Sequence, residues 1–342
     1  MTDVATVPGT DNQNALPERA RTDTHDFAPF IRILGRGPGR SRSLTRDEAR
    51  LALGMVMRGK ATREQIGAML MLLRYRGEAV DEIVGLVEAA RDHARLPWRF
   101  SRRVDLDWPS YADGRTRGLP WYLLAALLVA RAGWRVMMHG PSTGPGRRPL
   151  IEALGGLSIP PATTESAAER SLATIGFAFV PVEALSPELS ALLALRGVLG
   201  LRSPLNTVGR LLDPANAIGS IDGVFHPAYI ALHLGVAQRL GRRIVVLKGG
   251  GGEAEWAGVK PLVLSSRHGE SVWPALDMVG KPTSLSPADL AAVWHGTRAD
   301  PAGEAIVVAT TAVALHAAGH EGDPAGCVAL ARDLWAGRAG KA

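Results

Sequence analysis

Between Leu44 and Gly77 the apolar positions fall into two helical stretches, each with its start written in polar residues. Thr45 and Glu48 have the spacing of a capping box, and Leu51, Met55 and Val56 then recur at helical intervals until Gly59. Thr62 and Gln65 repeat the box, and Ile66, Met69, Leu70 and Leu73 line one face as far as Gly77. Val80, Ile83, Val84 and Val87 mark a third amphipathic helix. Three short helices joined by turns of a few residues pack antiparallel or crossed, as a small bundle.

Beyond Pro97 the pattern alternates. Strands are expected at 104–106, 136–138, 177–180 and 244–247, and helices at 121–132, 227–240, 287–295 and 324–336. That order predicts an α/β fold, with a small helical domain over 27–97 beside a larger α/β domain over 98–342. The stretch 183–200 reads as helical and is expected to join the helical domain in space. Residues 1–26 carry no apolar period and read as a loose tail, and 27–42, with Pro29, Pro38, three glycines and four arginines, reads as a flexible basic connector.

Composition narrows the class. The 342 residues are 46% hydrophobic and 21% charged, a globular balance with ample chain for a core. A single cysteine, Cys327, excludes an intrachain disulfide, a thiolate zinc cage and a redox pair. The longest apolar run, 119–130, is too short to cross a hydrocarbon core of about 30 Å, so a cytoplasmic protein without a membrane span is expected. A net charge of +6 favours polyanionic partners, although ordinary solubilising charge explains it equally.

In open α/β sheets ligands sit outside the carboxyl ends of the strands, which directs attention to three loops. The first runs from Asp107 to Gly118 and carries Arg115 and Arg117; it leads into a helix start, a phosphate site in principle, but Trp108 and Tyr111 stand where a backbone cradle wants small residues. The second, after Met138, holds His139, Gly140, Arg147 and Arg148. His139 reads either as a base or as a turn-fixing histidine, and the two arginines either as exposed phosphate contacts or as ordinary surface charge. In the third, Lys248 precedes four glycines and then Glu253 and Glu255. The glycines permit close backbone approach, the ending is not that of a nucleotide P-loop, and the two carboxylates are a weak magnesium pair. No Ser-His-Asp order or metal-spaced histidine pair is present; His226 and His233, seven apart, suit one helical face. Trp98 and Trp121, which lie near arginines, and Trp256 are candidates for stacking on bases, with core packing the alternative.

The segment GKATREQIGAMLMLLRYRGEAVDEIVGLVEAAR within 44–91, and Leu199 to Asn206 (LGLRSPLN), resemble the anthranilate phosphoribosyltransferase family and the related pyrimidine nucleoside phosphorylases. The resemblance covers about two-thirds of the chain and implies a small helical domain beside an α/β domain with a central mixed sheet, dimerised through the helices. It also implies functional positions. The family's diphosphate loop GTGGDG falls on SYADGR, keeping Asp113 and Gly114; its following asparagine and serine fall on Leu119 and Trp121; its KHGN falls on Met138, His139, Gly140 and Pro141; and its metal-binding Asp-Glu pair falls on Ala254 and Glu255. Arg196 matches the arginine that meets the aromatic acid, and Asn206 is kept. Asp113, Gly114, His139, Gly140, Arg196 and Asn206 thus form a vestigial pocket, with Glu255 the remaining metal ligand.

Leu119 and Ala254 cannot help neutralise a leaving pyrophosphate, so ordinary phosphoribosyl transfer is not expected, nor any cofactor, with magnesium required only if transfer is retained. The segments DWPSYA, RGLPW and GEAE resemble a second-type bacterial subgroup whose members bind nucleic acids as dimers. The resemblance implies a homodimer binding DNA or RNA through phosphates, with Arg115, Arg117, Arg147, Arg148, Arg202, Arg210 and Lys248 as the candidate contacts. The alternative is a glycosyl or phosphoribosyl transferase with a changed donor or acceptor.

Overall fold

The structure, a computed structural model, describes residues 26–37, 39–112, 118–144, 147–277 and 280–340. The expected tail, apart from Asp26, lies outside them. Both capping boxes form: the Thr45 hydroxyl accepts from the Glu48 amide while the Glu48 carboxylate accepts from the Thr45 amide, starting the helix Arg46–Met57. Thr62 and Gln65 do the same for Arg63–Arg76. The third helix, Val80–His93, crosses Arg46–Met57 so closely that a methyl group on Gly85 would lie 2.1 Å from the Arg46 carbonyl oxygen.

The reading of 27–42 as a flexible connector is corrected. It contains the helix Ala28–Gly35, whose Phe30 and Leu34 are buried together with Phe27 at its start. Pro29 stands in the first turn, where its missing N–H has no intrahelical partner to lose, and Gly37 and Gly39 follow the helix instead of interrupting it.

The larger part is built on seven strands: β1 Leu106–Pro109, β2 Val136–Gly140, β3 Phe177–Pro181, β4 Gly219–Val224, β5 Ile244–Lys248, β6 Leu262–Ser266 and β7 Gly269–Trp273. Their order is β3-β2-β1-β4-β5-β6-β7. The first five run parallel, and β6 pairs antiparallel with both β5 and β7, so β6 alone runs against the rest and the sheet is mixed. β1 begins later than the sequence suggests and takes in Asp107 to Pro109, expected as loop. Trp108 is fully buried in that strand.

One face of the sheet is covered by the helices Trp121–Arg131 and Pro301–Ala317, whose Leu124, Leu128, Val307 and Leu315 share a core with Leu106, Met138 and Phe179. On the other face the helical domain packs on Val224, Ile244 and Val246. Leu189 and Leu192 of the helix Pro187–Ala194 lie in the same apolar cluster as Met69 and Leu70, although distant from them in sequence. From β1 the chain builds outward through β2 to β3 on one side and then returns to β4 on the other side of β1, so the carboxyl ends of β1 and β4 open the crevice where ligands of such sheets collect. No described helix is long and apolar enough to cross a membrane.

Candidate functional site

His139 closes β2 and is fully buried. Its Nδ1 lies 3.0 Å from the Tyr111 hydroxyl and its Nε2 3.1 Å from Oδ1 of the buried Asp107. With Nδ1 accepting from Tyr111 the ring proton lies on Nε2, near the carboxylate but outside hydrogen-bond geometry with it. Burial, followed by the Asp107 charge, raises the Tyr111 phenol well above its usual range, so it stays a donor. Both ring nitrogens face groups of the protein itself. Next to it, Gly140 is required by packing: a methyl group there would stand 2.0 Å from the Ser110 carbonyl oxygen.

Arg147, expected at the surface, is instead only 1% exposed. Its guanidinium donates to the Ser110 carbonyl at 2.9 Å and to Glu253 Oε1 at 3.2 Å. The same Glu253 oxygen accepts from the Ala112 amide at 2.9 Å. Local sequence could not show this, because the neutralising carboxylate lies 106 residues further on. Glu255 Oε2 accepts from the Tyr122 amide at 3.1 Å, in the first turn of Trp121–Arg131, so the helix start already carries an anion from the protein's own chain. The four-glycine run serves the same internal packing: a methyl group on Gly249 would meet the Glu253 carbonyl oxygen at 1.6 Å.

These residues do not fit the magnesium ion that the family implies. Glu253 faces a guanidinium, Glu255 is spent on a backbone amide, Ala254 offers no oxygen from its side chain, and no cluster of three or more His, Cys, Asp or Glu capable of holding a metal occurs among the described residues. Asp113, Gly114, Arg115 and Arg117 lie outside the described residues.

Beside this filled region a cavity of about 380 Å³ opens between the helical domain and the carboxyl end of β4. Arg74, Arg196, Arg202 and Arg210 line it, with Asn206, Phe225, His226, Tyr229 and His233. No carboxylate occurs among its lining residues. Arg210 is a second correction to the exposed set: it is buried, donating to the Gly252 carbonyl at 3.0 Å with its Nε 3.8 Å from Asp222. Asp222 in turn holds His233 Nδ1 at 2.5 Å, and both are 1% exposed. Arg74 donates to the Tyr229 hydroxyl, which donates to Glu78 at 3.4 Å. Lys248 is exposed at the end of β5, and the Arg148 side chain, 80% exposed, pairs with Glu152 within its own helix.

Thus Arg196, Arg202, Arg210 and Asn206 come together, while His139, Gly140, Arg147 and Glu255 belong to the packed region. Asp222, Phe225, Tyr229 and Arg74 gave no functional signal in sequence; the seven-residue spacing of His226 and His233, both in the cavity wall, was the available hint. Trp121 and Trp256 are buried in the core, not presented for stacking, and Trp98 is half-buried.

A helical bundle set against a mixed, mainly parallel sheet, with a cleft between them, defines a two-domain protein of glycosyl transferase type. Residues 28–94 match the helical bundle domain of a glycosyl transferase family. The chain is 30% identical over 205 residues to the anthranilate phosphoribosyltransferase of Bacillus caldotenax, spanning 60% of this chain and 84% of that one. It is 31% identical over 235 residues to YbiB of Escherichia coli (strain K12), spanning 67% and 72%. The crystal structure of the anthranilate phosphoribosyltransferase from Thermus thermophilus superposes with a TM-score of 0.74 at 27% identity, covering 91% of this chain and 94% of that one. The chain belongs to the anthranilate phosphoribosyltransferase family.

Proposed function

We propose that this protein is a nucleic-acid-binding member of its family, acting in the cytoplasm as a homodimer, which holds DNA or RNA mainly through phosphates and has lost ordinary phosphoribosyl transfer. The observation that carries this reading is the arginine-lined cleft without a lining carboxylate, on a chain of net charge +6. Arg202, Lys248 and Arg148 are the phosphate contacts, joined by Arg115 and Arg117; Arg147 and Arg210 act from beneath by holding the loops. The reading of lost transfer is supported by the region at the end of β1, where an Arg147–Glu253 pair, Trp108, Tyr111 and Trp121 are buried and Glu255 occupies the helix start. The helical domain supplies the dimer surface, with Tyr75 91% and Leu51 53% exposed.

Fluorescence anisotropy of labelled single- and double-stranded oligonucleotides at several salt concentrations tests the reading. Submicromolar binding that weakens steeply with salt is expected, and Arg202→Gln with Lys248→Gln should lower the salt slope by about two. Binding no tighter than that of a neutral control at low salt would overturn it. Consumption of phosphoribosyl diphosphate with an aromatic acid in the presence of magnesium would overturn the loss of transfer.

A further inference from the structure

We infer that the cleft is a pocket for a single nucleotide, free or at the unpaired end of a strand, with its phosphate on Arg196 and Arg202, its base stacked on Phe225 and a donor of the nucleotide hydrogen-bonded by His233. For the strand-end source the inference rests on the nucleic-acid reading; for the free nucleotide it stands without it.

Size is the first argument. At about 380 Å³ the cavity is of small-molecule class and admits a nucleotide but no duplex. Charge is the second: four arginines stand in the wall, and the carboxylates near two of them, Asp222 by Arg210 and Glu78 beyond Tyr229 from Arg74, lie outside its lining residues, which favours an anion. The third is Phe225, a large apolar side chain left 53% exposed on the wall of an arginine-lined cavity. The His226 ring braces it edge to face at 4.7 Å, and a methyl group added at Gly252 would lie 3.3 Å from its Cβ, so it offers an aromatic face, supported from the side, to a planar ring.

The fourth argument is His233. A buried histidine whose Nδ1 is held at 2.5 Å by a buried carboxylate has its ring orientation and tautomer fixed, because the proton on Nδ1 faces Asp222. Nε2 is then an acceptor on a residue that lines the cavity. An acceptor there answers an N–H or O–H donor. A bare inorganic anion has no ring for Phe225, and an aminobenzoate, which has ring, anion and amine, carries a single carboxylate charge where a phosphate can meet both Arg196 and Arg202. A nucleoside monophosphate brings the planar ring, the anion and the donors together, as amines, ring N–H groups or ribose hydroxyls.

Calorimetric titration of the protein with AMP and CMP, against inorganic phosphate and 2-aminobenzoate, decides it. A monophosphate is expected to bind at least tenfold tighter than either control, and Phe225→Ala to weaken it about tenfold or more while leaving phosphate binding unchanged. His233→Gln is expected to weaken the nucleotide selectively; if that buried variant does not fold, the half-exposed Phe225→Ala decides alone. Equal binding of phosphate and nucleotide, equal or tighter binding of 2-aminobenzoate, or no effect of Phe225→Ala would overturn the pocket. Displacement of a labelled single strand by AMP or CMP supports the strand-end source, and nucleotide binding without displacement supports the free one. Nucleotide binding by a protein that holds no oligonucleotide would defeat the nucleic-acid reading and leave the pocket standing.

Discussion

A single glycine shows how a residue can look functional and be held by packing. Gly140 falls in a motif that the family resemblance ties to the substrate, yet its β2 backbone lies against the Ser110 loop, where the Ser110 amide donates to the His139 carbonyl at 2.8 Å. A methyl group 2.0 Å from the Ser110 oxygen has nowhere to go, because both partners are backbone. Gly140→Ala is therefore expected to destabilise the protein by about 3 kcal/mol or more, read as a lowered urea midpoint. An unchanged midpoint would show that the loop yields. Asp213 is a different case, a carboxylate buried near Arg91 and Arg242 at a positive φ of 45°. Burial first, and then the charge of Asp107, raises its carboxyl to about 6. The folded state thus holds this proton more tightly than the unfolded chain, whose ordinary value is 3.8. Stability is consequently lost as the pH rises from about 4 through about 6, and the loss is complete above that. Asn keeps the acceptor for the Ala217 amide and tolerates the positive φ. Melts of the wild type should lose on the order of 2–3 kcal/mol relative to Asp213→Asn between pH 4 and 7. Parallel pH profiles would assign the proton to another group.

At the scale of elements, what the sequence discloses depends on whether the cause is local. The helices Arg46–Met57 and Arg63–Arg76 are legible because a capping box and a 3.6-residue period both lie within a dozen residues. The longest described helix, Pro301–Ala317, is not, because it is buried on nearly every side and has no polar face to set a period. β4 is hidden for a related reason: Gly219, Ser220, Asp222 and Gly223 break any apolar run, and Gly219 and Gly223 are there because neighbouring backbone leaves no room for a side chain. The site divides in the same way. Arg202 and Asn206 fall within one contiguous motif, 199–206, whereas the Arg147–Glu253 pair joins two loops 106 residues apart. That pair carries a prediction. Glu253→Gln retains an acceptor for the Ala112 amide but strands the Arg147 charge, so a loss of about 3–5 kcal/mol is expected in urea unfolding. The double variant Arg147→Met with Glu253→Gln should recover part of it. A neutral Glu253→Gln would mean that the guanidinium is compensated by the Ser110 carbonyl without the carboxylate.

For the whole molecule, the proposed dimer and the proposed cleft make a joint prediction. Tyr75 and Leu51 stand exposed on the helical domain, whereas Arg196, Arg202 and Phe225 belong to the cleft, so the two surfaces can be altered separately. A dimer presents two clefts. A strand long enough to reach both binds the second intramolecularly, at the effective concentration that the first contact creates, and gains roughly 10²–10⁴ in affinity over a strand that reaches one. Tyr75→Glu with Leu51→Glu should give monomers by analytical ultracentrifugation, leave the affinity for a short oligonucleotide within about twofold, and abolish the advantage of the long one. The salt dependence should fall with it, since a monomer displaces counterions from one set of phosphates instead of two. If the monomeric variant keeps the long-strand advantage, binding runs along a continuous surface of one protomer. The exposed arginines of the helical domain, Arg58 and Arg63 among them, then become the residues to neutralise.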